Sequence, residues 1–347
     1  MPGFDVFEGN AFTMQSLTAA VLERKHVPMR LGAIPGLFET SGVRTTKVSV
    51  EKRGQTLVLV QTTPRGAPAV QNTTPDRELI DIPSARIALE DTVTADEVQN
   101  IRAFGSESEL QTLVGEIADR NASMSDSILA TEEYHRIGAV KGRVLDADGS
   151  TLIDLFQTFN VAEPAEIDFD LDNANPAEGA LRRQCAVVVR AIQDVLEGVP
   201  YTGIHAMVSS QFWDDLLAHR EVRETVKNWP AALTLRESGV GRGGNGQPIR
   251  TLDFGGITWE EYRGRIGATD YVEDDKARFF PVGVPRLFLT RYAPAEYFDT
   301  VNTVGLPRYA TINPDGTDPK HKRTLRVQSH PVMICTRPGV LQRARRT

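Results

Sequence analysis

Between Pro83 and Pro164 the chain has no proline, and within that window its apolar residues fall into one rhythm. Leu110, Leu113, Val114, Ile117, Met124, Ile128, Tyr134 and Ile137 recur at threes, fours and their sums. That spacing marks one face of an α-helix. Ser106 and Glu109 precede it with the spacing of a capping box, in which each side chain satisfies the other residue's free amide. The pattern predicts a single helix over residues 107–141, roughly 50 Å long at the usual rise. Glu116, Asp119, Arg120, Asp126, Glu132 and Glu133 lie between the apolar positions and are expected to face water. Gly138 and Gly142 are expected to loosen the helix end.

Before the helix the period changes to two. Val48 and Val50 alternate with Ser49 and Glu51, a half-buried strand that Gly54 interrupts and TLVLVQ (56–61) resumes. A tip over residues 62–76 carries Pro64, Gly66, Pro68 and Pro75, and a return arm from Arg77 to Leu89 carries Leu79, Ile80, Ile82 and Ile87. Each arm of some 15 residues would reach roughly 50 Å. A lone two-stranded ribbon is marginal in water, and its open edges invite pairing. Residues 46–92 therefore need a surface, on their own body or on a neighbouring copy. Residues 1–45 pose the same question. A short helix is predicted over 12–25, then Pro28, Gly32, Pro35, Gly36 and Gly42 punctuate a stretch whose Leu31, Ile34, Leu37 and Phe38 must be covered.

After the helix, residues 143–156 read as strand–turn–strand about Asp148-Gly149, a two-residue hairpin signal. An acidic link (163–175) leads to a second helix with Asn175, Pro176 and Glu178 at its start and Leu181, Cys185, Val188, Val189, Ile192, Val195 and Leu196 along one face. Residues 201–282 read as a separate α/β unit. It has a strand at 204–208, a helix capped by Ser210 and carrying Phe212, Trp213, Leu216, Leu217 and Val226, a glycine loop at 239–246, and strands near 252–259 and 279–282. The period returns to two in RLFLTRY (286–292) and over 323–335. Arg343, Arg345 and Arg346 form a basic tail expected to be mobile.

With 347 residues, 40% of them hydrophobic, the chain can bury one large core or two modest ones. A net charge of -7 argues against a dedicated nucleic-acid binder. Cys185 and Cys335 stand in apolar contexts without metal-ligand spacing and read as core residues. No signal-peptide pattern or membrane-spanning run is seen. Candidate chemistry is thin. Gly239, Gly241 and Gly244 satisfy G-x-G-x-x-G, but a helical stretch precedes them and Gln247-Pro248 follows, where the motif needs a strand before and a helix after. Asp146, Asp148 and Gly149 resemble part of a calcium loop, which the turn explains without a metal. His26, His135, His205, His219, His321 and His330 show no ligand spacing. Satisfied structural roles are expected for His135 and His205. Lys320, His321, Lys322 and Arg323 read as a solvated basic loop.

The order of parts resembles the tailed-phage major capsid proteins, and in detail the lambda-type capsid protein E family. The likeness is carried by residues 43–66 with VSVEKRGQTLVLV and PRG, 201–229 with VSSQFWDDLL, 258–264 with TWEEYRG, 279–283 with FFPVG and 325–338 with LRVQSHPVMICTRP. The resemblance implies an α+β fold with an N-terminal arm (1–45), an extended β loop (46–92), a peripheral domain with a spine helix (93–199), an axial domain (200–282) and a return to the peripheral domain with a C-terminal tail (283–347). It implies an extended loop lying over an adjacent subunit, with Val48, Val50, Leu57, Leu59, Arg65, Gly66, Leu79 and Ile80 at that contact. It also implies an axial loop, Gly241, Arg242, Gly243 and Gly244, at the five- and six-fold axes. Members assemble as hexamers and pentamers into an icosahedral shell in the bacterial host cytoplasm. The partners implied are further copies of the chain, a separate scaffolding protein, a portal protein, a decoration protein and packaged double-stranded DNA contacted without sequence preference. No membrane, cofactor, metal or catalytic residue is implied. Some relatives cross-link the extended loop through lysine; the tip here carries Arg65, and its nearest lysine is Lys52, which argues against such a link. The scaffold is taken as separate because little chain precedes the loop. Two other readings are a nucleotide-binding α/β enzyme at residues 239–246 and a cargo-loading shell on the same fold.

Overall fold

One helix, Glu109–Lys141, runs for 33 residues and joins two cores. In this computed structural model, residues 30–53, 77–100, 109–173, 175–227, 241–242, 248–266, 269–314 and 321–347 are described. The expected capping box at Ser106 lies outside them. Ile117, Met124 and Ile128 pack against Val93, Ala310, Leu325 and Val327. Those partners sit on an antiparallel three-stranded sheet in the order Tyr309–Pro314, Lys322–Ser329, Ile87–Thr94. Further along the helix, Ile137 and Val140 enter the main core, and Ala139 meets Val144 and Met333. The two glycines expected to loosen the end do the opposite. A Cβ on Gly138 would strike the backbone of Arg143 and Val144, and one on Gly142 (φ +86°) would strike the ring of Phe156. Their lack of a side chain lets the chain turn tightly and pack closely.

The main core lies on a six-stranded sheet in the order Thr251–Phe254, Ile257–Glu261, Gly203–Val208, Lys276–Val282, Gln342–Arg345, Ile167–Asp168. Phe169, Phe212, Trp259 and Phe279 fill it, with ring centroids 5.3 to 5.9 Å apart. Two of these pairs are stacked and the others tilted or edge-on, arrangements that suit the aromatic quadrupole. Helix Ala180–Leu196 buries Leu181, Cys185, Val188, Ile192 and Leu196 in this core. It does not start at Asn175–Pro176 as the sequence suggests. Gly179 is left-handed (φ 75°), and the first amides, Leu181 and Arg182, donate to the carboxylate of Glu221 at 3.0 and 3.4 Å. A distant carboxylate therefore performs the capping that local residues were expected to supply. Likewise Ser209, rather than Ser210, caps helix Ser210–Ala218, its Oγ accepting from Phe212. That helix stops at His219, and a second, Arg220–Lys227, follows.

The basic tail is not mobile. Gln342–Arg345 is an interior strand of the six-stranded sheet, and Arg346 pairs with Asp215 and Asp275 at 2.6 and 2.8 Å. The hairpin at 143–154 has a longer turn than a two-residue loop. Gly149 (φ +84°) donates to the Asp146 carbonyl, Asp146 donates to Ser150, and the Asp148 carboxylate accepts from Ser150.

Near the N-terminus, Leu31 and Leu37 are buried in the main core, and Phe38–Gly42 runs parallel to Phe288–Tyr292, which pairs with Pro331–Cys335. This part of the arm lies on its own body; the helix expected at 12–25 is outside the described residues. The ribbon exists at its base. Lys47–Arg53 pairs antiparallel with Arg77–Pro83, from Lys47 opposite Pro83 to Arg53 opposite Arg77. Its return arm ends at Pro83 rather than at Leu89. Ser84 then donates to Thr46 and Ala85 to Pro331, which turns the chain into strand Ile87–Thr94 of the three-stranded sheet.

Candidate assembly surfaces

The spine helix carries charge where the sequence pattern placed water. Glu132 and Glu133 are fully buried, and so is most of Arg136. Glu133 accepts from the Leu31 amide at 2.6 Å, the Gly32 amide at 3.3 Å and Arg136 Nη1 at 3.2 Å. Glu132 accepts from Ser329 Oγ at 2.9 Å and Tyr292 Oη at 3.1 Å, and from Arg136 and Arg308, each at 3.4 Å. A third buried carboxylate, Glu260, accepts from Arg30 Nε and Nη2 at 2.5 and 2.6 Å and lies 2.9 Å from His205 Nε2. Together these acids bind the N-terminal turn, the spine helix, both three-stranded sheets and the six-stranded sheet into one body. Burial pushes Glu133 above the ordinary carboxylate range, against the pull of Arg136 and the two amides. Burial also works to raise Glu260, but His205 and Arg30 prevail and hold it low. Burial raises the Tyr292 hydroxyl, and the adjacent Glu132 raises it further.

Pairing a buried acid and base this way confers geometry more than stability, because desolvation consumes much of the attraction. The spacing that could have revealed the cluster is present: Glu132, Glu133 and Arg136 stand at i, i+4 and i, i+3. A solvated helix face shows the same spacing. His205 has the structural partner expected of it. Among the described residues His135 Nε2 has none, and burial lowers its pKa by disfavouring the charged ring. The thiols of Cys185 and Cys335 are buried and pushed up to about 12, which suits core residues rather than nucleophiles.

The residues expected at a contact between copies divide into three groups. Val48 and Val50 are buried in this chain's own core, alongside Ile82, so their side chains are not free to meet a neighbour. Ile80 is half-buried against the same core, and Leu79 on the opposite face is 72% exposed. Leu57, Leu59, Arg65 and Gly66 lie outside the described residues. In the expected axial loop, Gly241–Arg242 pairs antiparallel with Pro248–Ile249, and Gly243 and Gly244 lie outside the described residues. Where a dinucleotide fingerprint opens a helix, this chain comes back as a strand.

The sequence reading missed a surface between strands Phe288–Tyr292 and Tyr309–Pro314. Phe298 is 99% exposed there, with Val301, Val304 and Leu306 exposed beside it. The backbone beneath is tightly held. Thr300 is buried; its hydroxyl donates to the Ala295 carbonyl at 2.5 Å and accepts from the Tyr297 amide at 3.3 Å. Thr303 Oγ donates to the Thr300 carbonyl at 2.7 Å, Gly305 N to the Val43 carbonyl at 2.8 Å and Leu306 N to Tyr309 Oη at 2.9 Å. A Cβ on Gly305 would collide with the carbonyl of Tyr292. Threonines, an asparagine and an aspartate interleave the apolar residues of FDTVNTVGL, so the stretch reads as a solvated turn.

Comparison with known proteins places this geometry in context. The family described as phage major capsid protein E matches residues 13–346. The major capsid protein of Salmonella phage Felix O1 is 24% identical over 363 aligned positions, covering 96% of this chain and 96% of that protein. The major capsid protein of Pseudomonas phage KPP10 is 28% identical over 296 positions, covering 81% and 83%. Among solved structures, a prophage protein of E. coli CFT073 assigned as its capsid protein superimposes with a TM-score of 0.56 at 13% identity, covering 97% of this chain and 99% of its own.

Proposed function

The chain belongs to the phage major capsid protein E family, the shell protein of a phage head, and from that premise we propose that hexamers and pentamers of it enclose double-stranded DNA. The observation that carries this reading is the length of the match, which runs from residue 13 to residue 346 and so takes in ribbon, spine helix and both sheets. The physical design supports it. A subunit that must survive assembly needs a body that holds one shape, and the buried carboxylates tie its parts together. It also needs contact area of about 2,000 Å² or more, which is typical of obligate interfaces.

In this reading the ribbon crosses onto an adjacent copy through Leu79 and the segment between its strands, while Val48, Val50 and Ile82 root it in its own core. The unit around residues 200–282 faces the five- and six-fold axes with the loop at 241–248, and the spine helix with its sheets forms the periphery. Assembly takes place in the bacterial cytoplasm with a scaffolding protein and a portal, and a decoration protein is a further partner. Among the described residues no helix is long and apolar enough to cross a membrane.

Negative-stain imaging of the protein made together with its phage's head genes tests the reading. Closed shells of uniform diameter are expected, and a chain that stays monomeric under those conditions overturns it. Nuclease-protected DNA inside the particles would separate a genome shell from a cargo-loading one. Removing residues 62–76 should leave the subunit folded and weaken the shell; loss of the fold would reject the crossing ribbon.

A further inference from the structure

We propose that the loop from Tyr297 to Leu306 is a docking knob whose occupant is a second copy of this chain. This rests on the shell reading above and adds to it a place and an anchor residue, Phe298.

A fully exposed phenylalanine on a slack loop would mean little, since single exposed apolar residues are ordinary. Here four apolar side chains of one short loop are exposed, and the loop's backbone is held by hydrogen bonds. Thr300 is buried and hydrogen-bonded on both sides, and Gly305 is pressed against the Tyr292 backbone where no Cβ fits. Asn302 takes a left-handed φ of 60°, which asparagine tolerates better than most residues. The loop is therefore preorganised: little conformational freedom remains to be lost when a partner covers it. Aromatic side chains, phenylalanine among them, are enriched where proteins meet.

The chemistry argues for a copy of this chain rather than another class of partner. From Tyr297 to Pro307 the only charged residue is Asp299, so the knob offers no cation to a phosphate backbone or an anionic surface. It is also continuous with the ribbon. Gly305 donates to Val43, which itself donates to Tyr292, and the ribbon strand starts four residues later at Lys47. Knob and ribbon leave the body from one corner, so a neighbour reached by one is within range of the other.

The test is a photo-crosslinking phenylalanine analogue at position 298 in assembled particles, with Phe298→Ser and Val301→Ser made in parallel. The expected result is a chain–chain adduct at twice the 38.2 kDa subunit mass, and a loss of particle yield of about tenfold or more in Phe298→Ser. The isolated variant subunit should melt as the parent does, because the side chain is almost wholly exposed. An adduct to a different protein, or normal yield and no chain–chain adduct, overturns the knob while leaving the shell reading intact. If the parent chain forms no particles at all, the shell reading fails first and the knob with it.

Discussion

The lower half of the spine helix and the loop at 297–306 invert the usual rule in opposite directions. The helix buries two glutamates and Arg136, and Arg308 closes over them from elsewhere in the chain, whereas the loop displays a phenylalanine and three aliphatic residues to solvent. The difference lies in where each finds its partners. Every acid in the helix cluster is answered inside the chain: Glu132 by Arg136, Arg308, Tyr292 and Ser329, and Glu133 by Arg136 and two backbone amides. The loop satisfies its backbone and its threonines internally and leaves four apolar side chains exposed. One region completes the subunit; the other is incomplete until a second subunit arrives. A protein that must be stable alone and adhesive in company can keep these tasks in separate places.

Breaking the comparison on the inner side should have the largest effect. Glu132→Ala leaves Arg136 and Arg308 facing each other in a dry site and should cost about 3–5 kcal/mol of subunit stability, read by denaturant unfolding. A loss below about 1 kcal/mol would show that the cluster is wet and weakly coupled. Gly305→Ala comes next. The new methyl forces the loop away from Tyr292, for about 1–3 kcal/mol by overpacking, and amide hydrogen exchange should rise at Thr303 and Gly305.

A smaller effect should appear with pH. Glu133 sits above its ordinary value of 4.5, so the folded state binds that proton more tightly, and stability rises as pH falls from its raised pKa towards 4.5. Glu260 lies below 4.5, and Glu273, beside Lys141 and Arg278, is held down to about 2 despite partial burial. Their contributions are complete above 4.5 and drain away as pH falls from there towards about 2. Burial holds His135, His219 and His330 below 6.5, so they cost stability as pH falls through that value against the gain from Glu133. Thermal melts should therefore fall most steeply below about 4.5, where Glu260 and Glu273 lose their charge; melts that stay level there would contradict the part assigned to these two acids. The smallest change belongs to the outer side: Phe298→Ser should alter subunit stability by no more than about 0.5 kcal/mol.

Much of the architecture was legible because it is written in local periods. The 3.6-residue rhythm found the spine helix and its end at Lys141, and the alternation at Val48 and Val50 found the root of the ribbon. What escaped depends on residues far apart in the chain. Glu132 reads as solvent-facing until Arg308 and Ser329, nearly two hundred residues later, close over it. The start of helix Ala180–Leu196 was misplaced because its cap, Glu221, comes from another helix. Phe298 was overlooked for a related reason: exposure is a property of the finished surface, and turn residues around it mask it in the sequence.

The placement of Gln342–Arg345 between Lys276–Val282 and Ile167–Asp168 sets an order of events. A sheet whose fifth position is filled by residues 342–345 keeps a gap until they join it, a non-local pairing that forms slowly. Until that gap closes, Lys276–Val282 presents an unpaired edge along Lys276–Phe279, and Arg346 cannot yet bridge Asp215 and Asp275. The six-stranded sheet is thus whole only once Gln342–Arg345 has been laid between its two neighbours, which makes that short strand the keystone of the larger core.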